Sequence, residues 1–389
     1  MVKKELGKKQ SFAREVNNEI VLKEVKKKPS SGTELASRLK LSNATVSSIL
    51  SSLLHQGLIK IYSTDSLNGL GRKRVVYSIN DKYCLICVVS ITSYSISITI
   101  SDLAGNTLKE QIKEIEKYDL KTIYESIIQI KDMLTSVELR DIPLKNIIIS
   151  LPGLINKNTG DLQVSPQFDK TLFSNEHTIS KLFKDNFKSD VYLENDSKLM
   201  MLGELSNGTF PLNSKGMLIY LDYGIGGGLE FDNKMFLGSR GYAGEVGLLK
   251  VEQNNEIKAL DEFVSLRAIQ EIYLKKYNEE ISLHKLFELY KNCDRKVKEE
   301  VLTTAEILGK AINQVISVFD LDYFVIDGRV TNFGEEYLNK IREVVNKEQP
   351  DVEIVFGHDV RQAIVDGAKN IGIEYILKTN LKTLKKAEN

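Results

Sequence analysis

The stretch Ile219–Gly247, IYLDYGIGGGLEFDNKMFLGSRGYAGEVG, decides how this chain folds. Taken with the residues just before it, it reads as three strand-like runs in succession: GMLIYLDYG, IGGGLEFD and KMFLG. Turn residues separate them, so a β-meander is expected. The glycine run Gly224-Ile225-Gly226-Gly227-Gly228 admits two uses. Its backbone amides can face a phosphate, or the glycines can serve only a tight turn between strands.

Working outward, helical periodicity follows at roughly 263–275, 283–291 and 295–318. Then come the strand YFVIDG, a helix near 334–346, the strand VEIVFG and a last helix from Arg361. Upstream the same plan appears once already. ICVVSI, YSISITIS and a third run beyond Gly105-Asn106 form an earlier meander. A helix, KTIYESIIQIKDMLTSV, and the strand NIIISL follow, the latter ending at Pro152-Gly153. DVYLEND then hands its last polar residues to the helix SKLMMLGELS. A meander followed by alternating helices and strands, occurring twice, describes two α/β lobes around a cleft, the architecture of sugar kinases, actin and heat-shock ATPases. Such folds bind ligands where strand ends face the cleft. The lobes are expected at about 81–210 together with the C-terminal helix, and at 211–365, within a domain spanning 81–389.

Residues 1–80 have another texture and are expected to form a separate domain. An amphipathic helix runs from Phe12 to about Lys27, and KKPSSG breaks it. Thr33 is expected to cap a second helix, TELASRLK, and Ser42 a third, NATVSSILSSLLHQG, ended by Gly57. Val46, Ile49, Leu50, Leu53 and Leu54 share the inner face of the third helix. Its outer face carries Asn43, Thr45, Ser47, Ser48, Ser51 and Ser52, short polar groups that can approach base edges and phosphates closely. LIKIYSTD and VVYSIN flank the basic, glycine-containing turn SLNGLGRKR, a hairpin wing with Arg72, Lys73 and Arg74 at or beside its tip. Helix, turn, helix and wing describe a winged helix-turn-helix, with Ser42 and the third helix in the major groove of double-stranded DNA. The alternative is a small helical protein-binding domain with a solvated Ser/Thr face.

Charge supports the DNA reading. The 389 residues balance to zero, yet residues 1–82 hold 16 Lys and Arg against seven Asp and Glu, a net of +9, leaving −9 on the remainder. A basic first fifth on an acidic body points to a polyanionic partner. No apolar run approaches the roughly 20 residues of a membrane span, the first ten residues have no signal-peptide core, and a cytoplasmic protein without membrane contact is expected. Cys84, Cys87 and Cys293 cannot form a disulfide framework, and the Cys84-x-x-Cys87 pair would face opposite sides of a strand. His55, His177, His284 and His358 are scattered without ligand spacing and are assigned no role.

IIISLPGLINKNTGDLQVSP, VYLENDSKLMMLGE, the stretch Ile219–Gly247 and YFVIDG, in that order, resemble the ROK family of repressors, open reading frames and sugar kinases. With the N-terminal segment the resemblance covers nearly the whole chain, and xylose- and glucose-type repressors of the family share this domain order. It implies an α/β fold: a winged helix-turn-helix followed by a two-lobed sugar-kinase-like domain. It also implies a cleft in which Gly153, Asn195, Asp196, Glu245 and Asp261 hold a sugar. Asp196 matches the general base of the family's kinases, Glu245 a sugar-binding glutamate, and Asp261 falls where another glutamate is common.

Two departures stand out. Where the resemblance implies an acidic, glycine-containing first phosphate loop, the chain has Ser90-Ile91-Thr92-Ser93-Tyr94, so loss of kinase chemistry is expected. Where family members carry a histidine and a cysteine cluster for zinc, the chain has Leu248 and the cysteine-free VEQNNEIKALDE, so neither metal nor cofactor is expected. The expected function is a sugar-responsive repressor that binds a pseudo-palindromic operator as a homodimer, with a tetramer left open. The rivals are an active sugar kinase with a DNA-binding appendage and an architectural DNA binder whose body only dimerises.

Overall fold

The structure, a computed structural model, describes residues 16–65, 74–92, 94–115, 119–156, 159–160, 162–165, 178–253 and 255–387. Helix α1 covers 16–27, followed by strand β1 (Ser30–Ser31), α2 (Gly32–Leu39) and α3 (Asn43–His55). The hairpin β2 (Ile59–Asp65) and β3 (Arg74–Ile79) completes a winged helix-turn-helix. Two expectations shift here. KKPSSG does more than break a helix: Ser30 and Ser31 pair with Tyr77 and Val76 of β3 and add a third strand to the wing. Helix α2 is capped by Ser31, not Thr33. The Ser31 hydroxyl accepts the Glu34 N–H, and the Glu34 carboxylate accepts the Ser31 N–H at 2.8 Å, a reciprocal box that satisfies two otherwise orphaned donors. Ser42 caps α3 as expected, and Val46, Ile49, Leu50 and Leu53 are buried while Leu54 is half-buried.

In the body, β4 (Leu85–Ile91), β5 (Ser95–Asp102) and β6 (Thr107–Glu114) form the first meander. Beyond helix α4 (Leu120–Leu134), strand β7 (Leu144–Leu151) adds parallel to β4. A small hairpin, β8 (Leu154–Ile155) with β9 (Leu162–Val164), and helix α5 (Ile179–Asn186) lead to β10 (Asp190–Asn195), parallel to β7. The sheet order is β10-β7-β4-β5-β6.

Helix α6 (Asp196–Asn207) leads to the second sheet, built the same way. The meander β11 (Lys215–Leu221), β12 (Ile225–Phe231) and β13 (Lys234–Phe236) comes first, then a hairpin of β14 (Lys250–Gln253) and β15 (Glu256–Ala259). Helices α7 (Asp261–Val264), α8 (Leu266–Tyr277), α9 (Leu283–Lys291) and α10 (Arg295–Phe319) precede β16 (Tyr323–Asp327), parallel to β11. Helix α11 (Glu335–Asn346), β17 (Glu353–Phe356) and the long α12 (Val360–Ala387) end the described chain. The order β13-β12-β11-β16-β17 repeats that of the first sheet strand for strand. The glycine run thus lies largely within a strand, β12.

Helices α6 and α12 join the lobes. They cross so closely that a Cβ on Gly203 would stand 1.9 Å from the Ala363 carbonyl oxygen, and one on Gly367 1.9 Å from that of Leu199. The fully buried Glu204 of α6 adds a polar tie, accepting the His358 backbone N–H at 3.2 Å just before α12 begins. Around this crossing one apolar core is continuous. It includes Val21, Leu22 and Leu50 of the winged helix, Ile86 and Ile148 of the first sheet, Leu199 and Met200 of α6, Ile373 of α12, and Leu218 of the second sheet. Cys84 belongs to this core and Cys87 to the separate one beneath α4, so the two thiols do lie on opposite faces of the sheet, and burial pushes each up to about 12. Among the described residues no helix is long and apolar enough to cross a membrane.

The crossing should tolerate no added atom. Gly203→Ala is expected to destabilise the fold by roughly 3 kcal/mol or more, because backbone rather than a flexible side chain must move. Thermal denaturation of the variant beside the parent protein measures this, and an unchanged midpoint would mean that the helices can part at little cost.

Candidate ligand cleft and DNA-facing helix

A cavity of about 400 Å³ opens between the lobes, and Gly153, Asn195, Asp196, Glu245 and Asp261 all line it. Their surroundings differ sharply. Asn195 ends β10 and caps α6: its Oδ1 accepts the Lys198 N–H at 3.0 Å and the Ser197 hydroxyl at 2.6 Å, while its Nδ2 donates to the Gly153 carbonyl at 2.8 Å. With four hydrogen-bonding positions on the amide, three are committed within the protein. Asn195 therefore chiefly fixes the turn after β7 to the start of α6.

Asp196 opens α6 and is 6% exposed. It accepts the Ser197 N–H at 2.7 Å. Burial, with Glu245 and Asp222 nearby, pushes its carboxyl up to about 7. Glu245, at the entrance to a tight helical turn over Val246–Leu248, stands 3.4 Å from the Lys198 ammonium. Lys198 is itself buried and donates to the Gly227 carbonyl at 2.6 Å and to that of Ala243. Burial raises the Glu245 carboxyl and lowers the Lys198 ammonium, and each partner opposes the other's shift. Asp261 accepts the Ile225 N–H at 2.9 Å and pairs with Arg267 at 2.7 Å.

Sequence reasoning had not singled out Lys198, Arg267, Asp222 or Arg329. Lys198 lies two residues past Asp196 on the same helical turn, and Asp222 lies inside the opening stretch itself, so both were within reach of a spacing argument. Arg267 and Arg329 come from distant segments and carry no local signal. Asp222 accepts from the Arg329 Nε at 3.0 Å and 2.9 Å with its two oxygens, and Arg329 stacks 4.5 Å over the Tyr94 ring. The β4–β5 turn of one lobe thereby meets the end of β16 in the other. The β12 glycines serve contact: a Cβ on Gly226 would meet Ser197 Oγ at 2.8 Å, and one on Gly228 the Met201 Cβ at 2.8 Å.

On the winged helix, Asn43, Ser47, Ser48 and Ser51 are exposed. The Ser42 hydroxyl is engaged at the cap, accepting the Thr45 N–H at 3.1 Å and lying 2.8 Å from the Thr45 hydroxyl. Arg74 opens β3 and is ion-paired with Glu34 of α2. Arg72 and Lys73 lie outside the described residues. At the position of a family zinc, Leu248 and the β14–β15 hairpin supply neither imidazole nor thiol, so the donor set does not fit that metal.

Asp196 makes the unliganded cleft costly. Its folded pKa is raised, so the proton binds the folded state more tightly. Its contribution to stability therefore falls as pH rises from about 4 to its folded value of about 7 and is flat above. Asp196→Asn should stabilise the unliganded protein, by roughly 2–4 kcal/mol at pH 8, with the gap shrinking toward pH 5. Chemical denaturation across that range checks it, and a gap independent of pH would assign the cost elsewhere.

Among known proteins, the Xylose repressor of Caldicellulosiruptor bescii is 24% identical to this chain over 362 residues, covering 87% of this chain and 89% of the relative. NagC of Escherichia coli K12, a DNA-binding transcriptional dual regulator, is 21% identical over 336 residues, 82% of each chain. A crystal structure of a ROK family transcriptional regulator homologous to the E. coli MLC protein superposes with a TM-score of 0.77 at 18% identity, covering 95% of this chain and 99% of that one. A ROK hexokinase from Thermus thermophilus gives 0.58 at 19% identity over 73% of this chain and 96% of its own. The winged helix thus accompanies the body in the regulator, whereas the kinase matches a smaller part of the chain. The family description "ROK family" matches residues 87–372, well over half the chain, and the chain belongs to the ROK family.

Proposed function

We propose that this protein is a sugar-responsive transcriptional repressor: residues 1–80 bind operator DNA, and residues 81–389 bind the sugar effector between their lobes. One observation carries the reading. Asp196, at the cleft, opens the helix whose apolar side belongs to the same core as the underside of α3, the DNA-facing helix. A ligand that moves α6 against α12 therefore works on the base of the reading head. Lys26 of α1 donates to Asn370 of α12 at 3.1 Å, a further tie along that route. Ligand closure changes the presentation of α3, and by linkage operator binding changes sugar affinity by the same factor. The protein acts in the cytoplasm as a homodimer on a two-fold operator, with Asn43, Ser47, Ser48 and Ser51 toward the groove and Arg72 and Lys73 on the wing toward phosphate.

Kinase activity is the second reading, because a buried carboxyl near 7 suits a general base. Against it stands the Asp222–Arg329 pair beneath Tyr94, which occupies the place where the β4–β5 turn and the glycine strand converge. A carboxylate there repels phosphate, and it engages the Arg329 guanidinium that would otherwise attract it. With magnesium and ATP and a panel of pentoses and hexoses, no phosphoryl transfer above background is expected. Turnover with any sugar would restore the kinase.

The function is tested with operator DNA selected from a random pool by the protein itself. Ser48→Glu puts a charge on the exposed groove face and is expected to weaken operator binding at least tenfold, leaving any sugar-induced thermal shift intact. Asp196→Asn should keep operator affinity and lose the response to sugar. Equal DNA binding by Ser48→Glu would remove α3 from the interface.

A further inference from the structure

The cleft has a second character besides its carboxylates. Leu248 is 63% exposed and Val164 60% exposed, and both line the cavity from opposite lobes. Val164 ends β9, which follows the first sheet's β7, whereas Leu248 closes the turn that follows the second meander. Leu154 and Ile225, both half-buried, add apolar surface to the same walls. Single exposed aliphatics on a convex surface need no explanation, but two facing one concavity are what a ligand with apolar parts covers. A plain sugar offers little to them. It has weakly apolar ring faces and a rim of hydroxyls, and a hydroxyl pressed against leucine or valine loses its water without gaining a partner.

Charge narrows the ligand further. Among the described residues, Asp196, Asp222, Glu245, Asp261 and Glu262 line the cavity, against Arg267 alone as a lining cation. Arg267 is already matched by Asp261 at 2.7 Å and Glu271 at 3.0 Å. Lys198 and Arg329, just behind the wall, are held by Glu245 and Asp222. Among the described lining residues, a phosphate or carboxylate on the ligand would meet carboxylates and no uncommitted cation.

We propose that the effector is an uncharged sugar bearing a non-polar substituent, a deoxy-sugar methyl or an alkyl or aryl aglycone, seated between Val164 and Leu248. This rests on the sugar-sensor reading above and names its ligand class.

The test is calorimetric titration of the full-length protein with matched ligands: hexoses beside their 6-deoxy counterparts, pentoses and hexoses beside their methyl and phenyl β-glycosides, and hexoses beside their 6-phosphates. The expected result is at least one pair in which the apolar member binds about tenfold tighter, the change one methyl makes in an apolar pocket, and no phosphate that binds better than its parent. Leu248→Asn and Val164→Ser should each erase that preference, and a variant that kept it in full would remove its side chain from the seat. Plain sugars binding as tightly as every apolar partner, or a 6-phosphate binding tightest, would overturn the ligand class while the sugar sensor stands. Silence from the whole panel, aglycones included, would take down both.

Discussion

The contact on which the rest of the structure depends is the crossing of α6 and α12, where Gly203 and Gly367 let two helix backbones approach to a distance that no side chain permits. Each helix has obligations on both sides. Helix α6 begins at the cleft with Asp196 and packs along the glycine strand β12 of the second sheet, while α12 lies against β4 and β7 of the first. Because interiors are close-packed, such a junction shifts between discrete arrangements rather than deforming smoothly. A small displacement at one end of α6 must then be taken up by α12, whose Asn370 and Glu374 face Lys26 and Lys23 of α1. The 3.8 Å Lys23–Glu374 pair is exposed and adds little, so the coupling rests on the shared apolar core and not on surface charge.

The cleft illustrates a cost that function imposes on folding. Desolvating Asp196 beside Glu245 and Asp222 works against the folded state, and Lys198 offsets only part of that. A protein selected for stability alone would fill this space with apolar atoms. On the proposed reading, keeping acceptors buried but reachable would prepare them for hydroxyl donors, because hydrogen bonds to ionised groups in a poorly hydrated site are stronger than in water. Lys198 has a separate effect: it draws Glu245, the Gly227 strand and the Ala243 loop onto α6, so that carboxylate and the helix are held as one unit.

Much of this was legible in the sequence, for stated physical reasons. The repeated meander is visible because apolar runs alternate with turn residues, and both sheets keep the same strand order. Asn195 and Asp196 stand out because polar residues at the end of an apolar strand need a purpose, whereas Glu245, which ends no strand, is marked only by the resemblance to the family. The Ser31 cap was missed although Ser31-Gly32-Thr33-Glu34 carries the capping-box spacing, since Thr33 offered a competing cap two residues on. The glycine run was weighed as a loop or a turn, yet Gly226 and Gly228 sit in β12 because α6 passes over them. Tertiary proximity of that kind leaves no periodicity to read. Nor does a pair such as Asp222–Arg329, separated by 107 positions and joined only when β11 and β16 lie side by side.

That pair also bears on the proposal that this kinase-like body is a sensor without turnover. Phosphoryl transfer needs backbone access and positive charge where the phosphates lie, contributed from both lobes. Here Tyr94 comes from one lobe and Asp222 with Arg329 from the other, and the ring over the guanidinium gives the lobes a direct contact. In a kinase the nucleotide would help draw the lobes together. In this chain a cation–π contact, braced by a half-buried ion pair, joins the lobes; on the proposed reading, occupancy of the sugar side of the cleft is what remains to govern closure. On the proposed repressor reading, such an internal contact in place of a nucleotide would leave a one-ligand switch whose state passes through the α6–α12 crossing toward α3.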